Sequence, residues 1–488
     1  MRKKWIAVIA AVIIAIGMLS SCTQEDKDKI HLDSKNPVTI EVWHYYNGAQ
    51  KAAFDKLITE FNETVGMEKG IIVEGVNQGN VNELMEKIID SANKKVGSDP
   101  IPNVFAAYAD TAWQIDQMGL VADLGQYLTQ EEISEYIPSY IEEGRMGADQ
   151  ALKIFPTAKS TEVLMLNKTD WDKFAEATGA SLEELKTIEG ITRLSEKYYE
   201  WTDSLTPDIP EDGKAFFGRD AMANYLIIGS KQLGTEIFTV KGGKVEFKIE
   251  EEVFRRLWDH YYVPFINGYF AANGKFRSDD AKVGDLIALV GSTTSATYFP
   301  SEVMSGEESY PIDSLVMPAP RFENGAAYSV QQGAGMVVSK STKEKEYASV
   351  LFLKWFTEAE RNLEFAAFSG YLPVKESAND IDKLHKLLEK SGNTMSDTMK
   401  KTFDAAFQVT SEQRLYTNQA FTGGTDARAV LENSLSGKAA ADRAQVVSKM
   451  QAGASRAEAV AEFNTQENFS AWLQTVREAL LQTQKDVL

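Results

Sequence analysis

The sequence predicts an α/β protein built as two lobes. Three observations carry this expectation. Strand-like and helix-like segments alternate over residues 38–107, and the alternation resumes from Lys153. The chain has 488 residues, more than a single hydrophobic core holds. Its composition, 43% hydrophobic and 10% aromatic, is that of an ordinary globular chain able to fill more than one core.

Taken in order, the chain opens with a leader. Arg2, Lys3 and Lys4 precede an apolar run from Trp5 to Met18, and then comes Leu19-Ser20-Ser21-Cys22. A basic segment, an apolar segment and small residues before a cut predict a signal peptide over residues 1–21. The apolar run is shorter than the roughly 20 residues that span a bilayer. The Leu-Ser-Ser-Cys ending resembles a lipobox, which implies that Cys22 is lipidated. Cys22 is the only cysteine, so no internal disulfide forms. Residues 22–36 are polar and predict a flexible tether. The expected location is extracytoplasmic, on a membrane through lipid at Cys22.

Val38 to Trp43 alternates and is β-branched, which predicts a strand. Asn47-Gly48 marks a turn, and Ala53, Leu57, Ile58 and Phe61 recur at helical spacing. Ile71 to Val76 predicts a second strand, Val81 to Lys94 a helix, and Asn103 to Ala107 a buried third strand. This order predicts a mostly parallel sheet. Further on, Lys153 to Phe155, Val163 to Asn167, Leu286 to Val290, Leu315 to Pro320 and Gly335 to Ser339 read as extended. Lys343 to Phe356 reads as a strong helix, and the C-terminal part as mainly helical.

Charge and missing motifs narrow the function. A net charge of −20 disfavours nucleic acid and anionic lipid as partners. The four histidines (His31, His44, His260 and His385) show no metal-ligand spacing, so no metal and no cofactor is expected. No nucleophile elbow, phosphate loop or dinucleotide fingerprint occurs. A glycosidase carboxylate pair has no spacing of its own and stays open as an alternative. A binder is favoured over an enzyme.

Candidate ligand residues sit at predicted strand ends, where open α/β sheets place their ligands. Trp43, His44 and Tyr46 end the first strand, and period two sends half of such a run inward. Asp110 and Trp113 follow the third strand, as a hydroxyl acceptor and a stacking ring. Ser160, Ser292 and Gly333 lie in polar loops, and Tyr298 and Tyr371 are further rings. Aromatic faces and amides suit a sugar, which is apolar on its C–H face and polar at its edge.

Together, Thr39–Phe61, Ser160–Lys168, Gly284–Ser295, Gly333–Phe356 and Ser369–Val374 resemble the extracellular solute-binding proteins of bacterial ABC importers. That family includes maltose-, multiple-sugar- and glycerol-3-phosphate-binding proteins. The resemblance implies a type II periplasmic-binding-protein fold, with two α/β lobes, a hinge and ligand in the interlobe cleft. Lobe one is expected over 38–155 plus 317–365, and lobe two over 156–316 plus 366–488. Ser160, Ser292, Gly333 and Tyr371 match positions of the glycerol-3-phosphate binders. Val81 and Ala109 depart from that pattern, and only Arg414 or Arg428 could supply a phosphate-binding arginine. The expected ligand is therefore a carbohydrate, with a glycerol phosphodiester as the alternative. The expected partners are the permease subunits of the importer, and the protein is expected to be a monomer.

Overall fold

A computed structural model describes residues 30–306, 308–391 and 395–485. The leader and Cys22 lie outside the described residues. The first elements are β1 (Val38–His44), α1 (Gly48–Phe61), β2 (Ile71–Asn77), α2 (Val81–Ala92), β3 (Val104–Ala107), α3 (Ala109–Gln117), α4 (Pro138–Gly144) and β4 (Ile154–Phe155). Then come β5 (Glu162–Asn167), β6 (Phe217–Arg219), α5 (Met222–Gln232), the hairpin β7 (Phe238–Lys241) and β8 (Lys244–Phe247), β9 (Ala288–Ser292) and β10 (Ser314–Pro318). The chain continues with β11 (Tyr328–Val330), β12 (Gly335–Val338), α6 (Lys343–Phe356), α7 (Ala359–Ser369), α8 (Asp397–Glu412) and β13 (Arg414–Tyr416). It closes with α9 (Gly424–Gln451) and α10 (Gln466–Lys485).

The first lobe is built on a sheet of order β2-β1-β3-β12-β4. Val38 to His44 pairs in parallel with Ile71 to Asn77, as the strand–helix alternation predicts. β12 runs antiparallel to both β3 and β4, so the sheet is mixed at the edge where the chain returns. Phe54, Leu57, Ile58 and Phe61 of α1 and Phe352 and Phe356 of α6 bury their rings and branches against it. The second lobe is built on a sheet of order β10-β5-β9-β6. Both of its faces are covered. Leu164 and Leu166 of β5 face one core, Val163 and Met165 the other, as period two requires.

The two lobes are joined by segments that pair with one another. The Ser160 N–H donates to the Gln332 carbonyl at 2.9 Å, and the Gln332 N–H donates back at 3.1 Å. The Lys159 N–H donates to the Leu372 carbonyl at 3.2 Å. These three strips, near residues 160, 332 and 372, form a narrow hinge.

Two expectations need correction. The exchange between lobes was expected at Met317 and at Phe365. Instead Met317 and Phe322 pack with the second lobe, because β10 pairs with β5, Leu315 opposite Leu166. The chain rejoins the first core only at Ala334; Phe365, Tyr371 and Val374 still belong to it, while Leu363, Ala366 and Leu372 pack with Val163 and Met165 of β5. The end of the predicted tether is also packed: Leu32 lies against the first core, and a Cβ on Gly70 would overlap the Asp33 carbonyl.

Candidate functional site: the interlobe cleft

The run Trp43-His44-Tyr45-Tyr46 leaves β1 at the cleft end of the sheet, yet three of its rings turn into the lobe. Trp43 is 2% exposed and its indole N–H donates to the Glu41 carboxylate at 2.6 Å. His44 is fully buried, 4.9 Å from the Phe54 ring and 5.3 Å from the Tyr46 ring. Burial pushes its pKa down to about 4, so the imidazole is neutral. Its Nδ1 accepts the Tyr46 N–H at 3.2 Å. Tyr46 packs among Phe54, Phe365 and Tyr371. Trp43, His44 and Tyr46, expected to meet ligand, are therefore core side chains. Alternation decides which sheet face a residue takes, but helices cover both faces here. Tyr45, which the sequence did not single out, is half-buried, and its hydroxyl shares a 3.1 Å hydrogen bond with that of Tyr371. Four adjacent rings carry no signal that separates the one that stays out.

The stretch after β3 behaves differently. Tyr108 is 43% exposed, and desolvation by the surrounding protein raises its hydroxyl pKa. Asp110 and Trp113 lie three residues apart on α3, on one face of the helix. Both meet the second lobe. The Trp113 indole N–H donates to Thr422 Oγ1 at 3.1 Å. Asp110 is seated at the start of α9, where a Cβ on Gly424 would overlap its carboxylate. Burial pushes the Asp110 pKa up to about 6, against the pull of Arg428 and the Phe421 N–H, with Glu143 adding to the rise.

Beside these residues a groove of about 520 Å³ runs between the lobes. Glu142 and Glu143 line it from α4, Glu236, Phe238 and Thr239 from the hairpin side, and Gln331, Tyr416 and Asn418 from the hinge. Its size is that of a small-molecule site. Glu143 binds Lys159 Nζ at 2.7 Å and accepts from the Gln331 amide. Lys159 also donates to the Gly333 carbonyl at 2.8 Å. Gly333 has φ of +99°, and a Cβ there would lie 2.9 Å from the Ala158 carbonyl, so it is a hinge glycine. Ser160 is buried in the same hinge ladder.

Behind the groove lies a buried polar chain that the sequence did not reveal. Glu162 accepts from Arg219 at 2.9 Å and from the Asn224 amide at 2.8 Å. Asn224 donates to Gln332 at 2.9 Å and receives the Arg428 guanidinium. Arg428 thus joins the site, whereas Arg414 lies exposed on β13. Arg219, Asn224 and Glu143 come from three segments with no shared motif, so only the fold brings them together.

The remaining candidates separate. Ser292 shares a 2.8 Å hydrogen bond with Thr294 and accepts the Ser295 N–H at 3.1 Å, which fixes its loop. That loop packs on the Gly370–Tyr371 turn, where a Cβ on Gly370 would lie 2.9 Å from Thr294 Cα. Tyr298 is 74% exposed and does not line the groove. It ends a short helical turn that projects it into solvent. Among the described residues no group of His, Cys, Asp and Glu is arranged to hold a metal ion. No described helix is long and apolar enough to cross a membrane.

Comparison with known proteins follows the same lines. Residues 56–390 match the profile of the bacterial extracellular solute-binding proteins. No curated protein matches the sequence. Among solved structures, the cyclic alpha-maltosyl-1,6-maltose binding protein from Arthrobacter globiformis superposes with a TM-score of 0.64 at 16% identity, over 91% of this chain and 99% of that one. UgpB from Mycobacterium tuberculosis, in complex with glycerophosphocholine, gives 0.62 at 18% identity, over 91% and 100%. The maltose/maltodextrin-binding domain MalE from Bdellovibrio bacteriovorus, bound to maltotriose, gives 0.58 at 13% identity, over 92% and 100%. At these identities the likeness is one of fold, the type II periplasmic-binding-protein arrangement. With a profile that spans most of both lobes and a fold shared over nearly all of the described chain, the protein belongs to the bacterial extracellular solute-binding family.

Proposed function

We propose that the protein is the receptor subunit of an ABC importer and that it captures a neutral carbohydrate in the interlobe groove. The observation that carries this reading is the chemistry of the groove wall. Its polar groups are carboxylates, amides and hydroxyls, set beside the Tyr416 ring. Such a wall accepts sugar hydroxyl protons at the edge and offers apolar faces to the ring. The nearby cations are already engaged: Lys159 with Glu143, Arg219 with Glu162, and Lys231 with Glu236. An anionic solute would meet Glu142, Glu143 and Glu236, where Lys159 and Lys231 are already paired. Ligand contacts are assigned to Glu142, Glu143, Gln331 and Tyr416, which line the groove. Ser160, Ser292 and Gly333 act by shaping the hinge and its adjoining loops. The permease subunits of the importer take the solute, and lipid at Cys22 keeps the receptor on the membrane.

One observation favours a second reading, a glycerol phosphodiester. Arg428 reaches the site beside Tyr108 and Asp110, where a phosphate could sit. A thermal-shift screen of neutral oligosaccharides against glycerol phosphodiesters separates the two. A ligand at 100 times its dissociation constant adds about 2.7 kcal/mol of stability. If only phosphorylated solutes raise the melting temperature, the carbohydrate reading fails. Hydrolysis of an oligosaccharide by the purified protein would overturn the binder reading altogether. Cys22→Ala should abolish fatty-acid labelling in cells and leave ligand affinity unchanged.

A further inference from the structure

The longest helix of the second lobe, α9, begins without a cap of its own. Its N-cap residue is Gly423, which has no side chain to bond the first-turn N–H groups. Asp110 of the first lobe is seated against that helix start. Its carboxylate packs against the backbone at Gly424, the first residue of the helix. Gly424, the first helical residue, has a backbone that any residue can adopt. Nothing in its own conformation calls for glycine. A Cβ at Gly424 would, however, overlap the Asp110 carboxylate. One turn along α3, Trp113 repeats the pattern. It donates to Thr422, and a Cβ on Gly243 of the β7–β8 turn would overlap its indole ring. Gly243 has φ of +77°, so the turn also requires glycine there, and it is the weaker witness of the two.

We infer that Asp110 and Trp113 form a latch between the lobes, and that Gly424 and Gly243 are the positioning residues whose missing side chains admit it. The latch deepens the proposed function, since it rests on ligand being enclosed between the lobes. It assigns Trp113 to holding the lobes together and not to stacking on a sugar. Because the contacts involve no ligand, they bias the ligand-free protein toward the touching arrangement. They would thereby raise apparent affinity by populating the binding-competent form.

Hydrogen exchange of the ligand-free, full-length protein tests this without any ligand. Asp110→Ala and Gly424→Ala should each speed exchange across residues 421–427 by about tenfold, comparable to loss of a helix cap. Each should also speed exchange in the 238–247 hairpin, which Asp110 does not touch, because Trp113 is released with it. The double variant should exchange no faster than either single one. The melting temperature of Gly424→Ala should not fall, because alanine is the better helix former. Additive effects, or changes confined to residues 421–427, would reduce Asp110 to a local contact and overturn the latch. Failure of the latch while sugars still raise the melting temperature leaves the capture reading intact, and the converse result removes only the ligand assignment.

Discussion

Two aromatic stretches leave neighbouring strands of the first sheet at the same end, and they meet opposite fates. Trp43-His44-Tyr45-Tyr46 follows β1 and turns three of its four rings into the first core. Tyr108 to Trp113 follows β3 and presents Tyr108, Asp110 and Trp113 to the cleft and the second lobe. The difference lies in what comes next in the chain. After β1 an extended tetrad bends under α1 and α7, where Phe54 and Phe365 enclose Tyr46. After β3 the helix α3 starts at once and carries Asp110 and Trp113 to the second lobe. Strand ends nominate residues for a site, and the cover over each strand end selects among them.

The contrast can be broken or sharpened by experiment. Trp43→Ala should cost about 3–5 kcal/mol of folding stability, as buried tryptophan truncations do. Denaturant unfolding measures it, and a loss of ligand affinity at unchanged stability would instead return Trp43 to the site. His44 should dominate the acid limb within the first core. Its folded pKa is about 4 against an ordinary 6.5, so its stabilising contribution is complete above pH 6.5 and is lost as pH falls toward 4. The loss amounts to about 3 kcal/mol. His44→Phe should flatten that limb in melts between pH 7 and 4.

On the cleft side, effects should appear in binding and not in folding. Trp113→Ala should weaken ligand binding by about 1–3 kcal/mol through the lost coupling between the lobes, while leaving both cores folded. Calorimetry with the ligand found by screening reads the affinity, and a collapse of the melting temperature would make Trp113 another core ring. Asp110 should give the opposite pH sign to His44. With the lobes in contact its pKa is about 6 against an ordinary 3.8, so that arrangement takes up a proton. Affinity should therefore rise by about 1 kcal/mol as pH falls from 7 to 5. The groups facing Asp110 are Arg428, the Phe421 N–H and Glu143. Asp110→Asn should abolish the slope, and a slope that survives belongs to another group. The smallest effect is expected for exposed Tyr298→Ala, within about 0.5 kcal/mol for both stability and binding.

The elements of the first sheet were legible because period two and period 3.6 are local signals. Val38 to Trp43, Ile71 to Val76 and Lys343 to Phe356 fall where the patterns put them. The β9 strand was displaced, from Leu286–Val290 to Ala288–Ser292, because a run buried on both faces has no polar edge to mark its start. The lobe boundary was misread at Met317, whose extended segment gave no hint that β5 would be its partner. The site was legible in outline only. Strand-end position nominated Asp110 and Trp113, which meet the second lobe, and loop chemistry nominated Ser160 and Gly333, which lie in the hinge. Tyr45, Glu143, Asn224 and Arg219 carried no local sign.

The sequence by itself determined the α/β class, the alternation that builds the first sheet, and the glycines and polar residues of the hinge. These depend on neighbours a few residues apart, whose preferences are written in the chain. Only the tertiary structure decided which aromatic residues are core and that Asp110 meets the start of a helix in the other lobe. It also decided that Arg428, Asn224 and Glu162 form one buried chain. Those outcomes turn on which surfaces the two lobes press together, a long-range choice that no short stretch of side chains encodes.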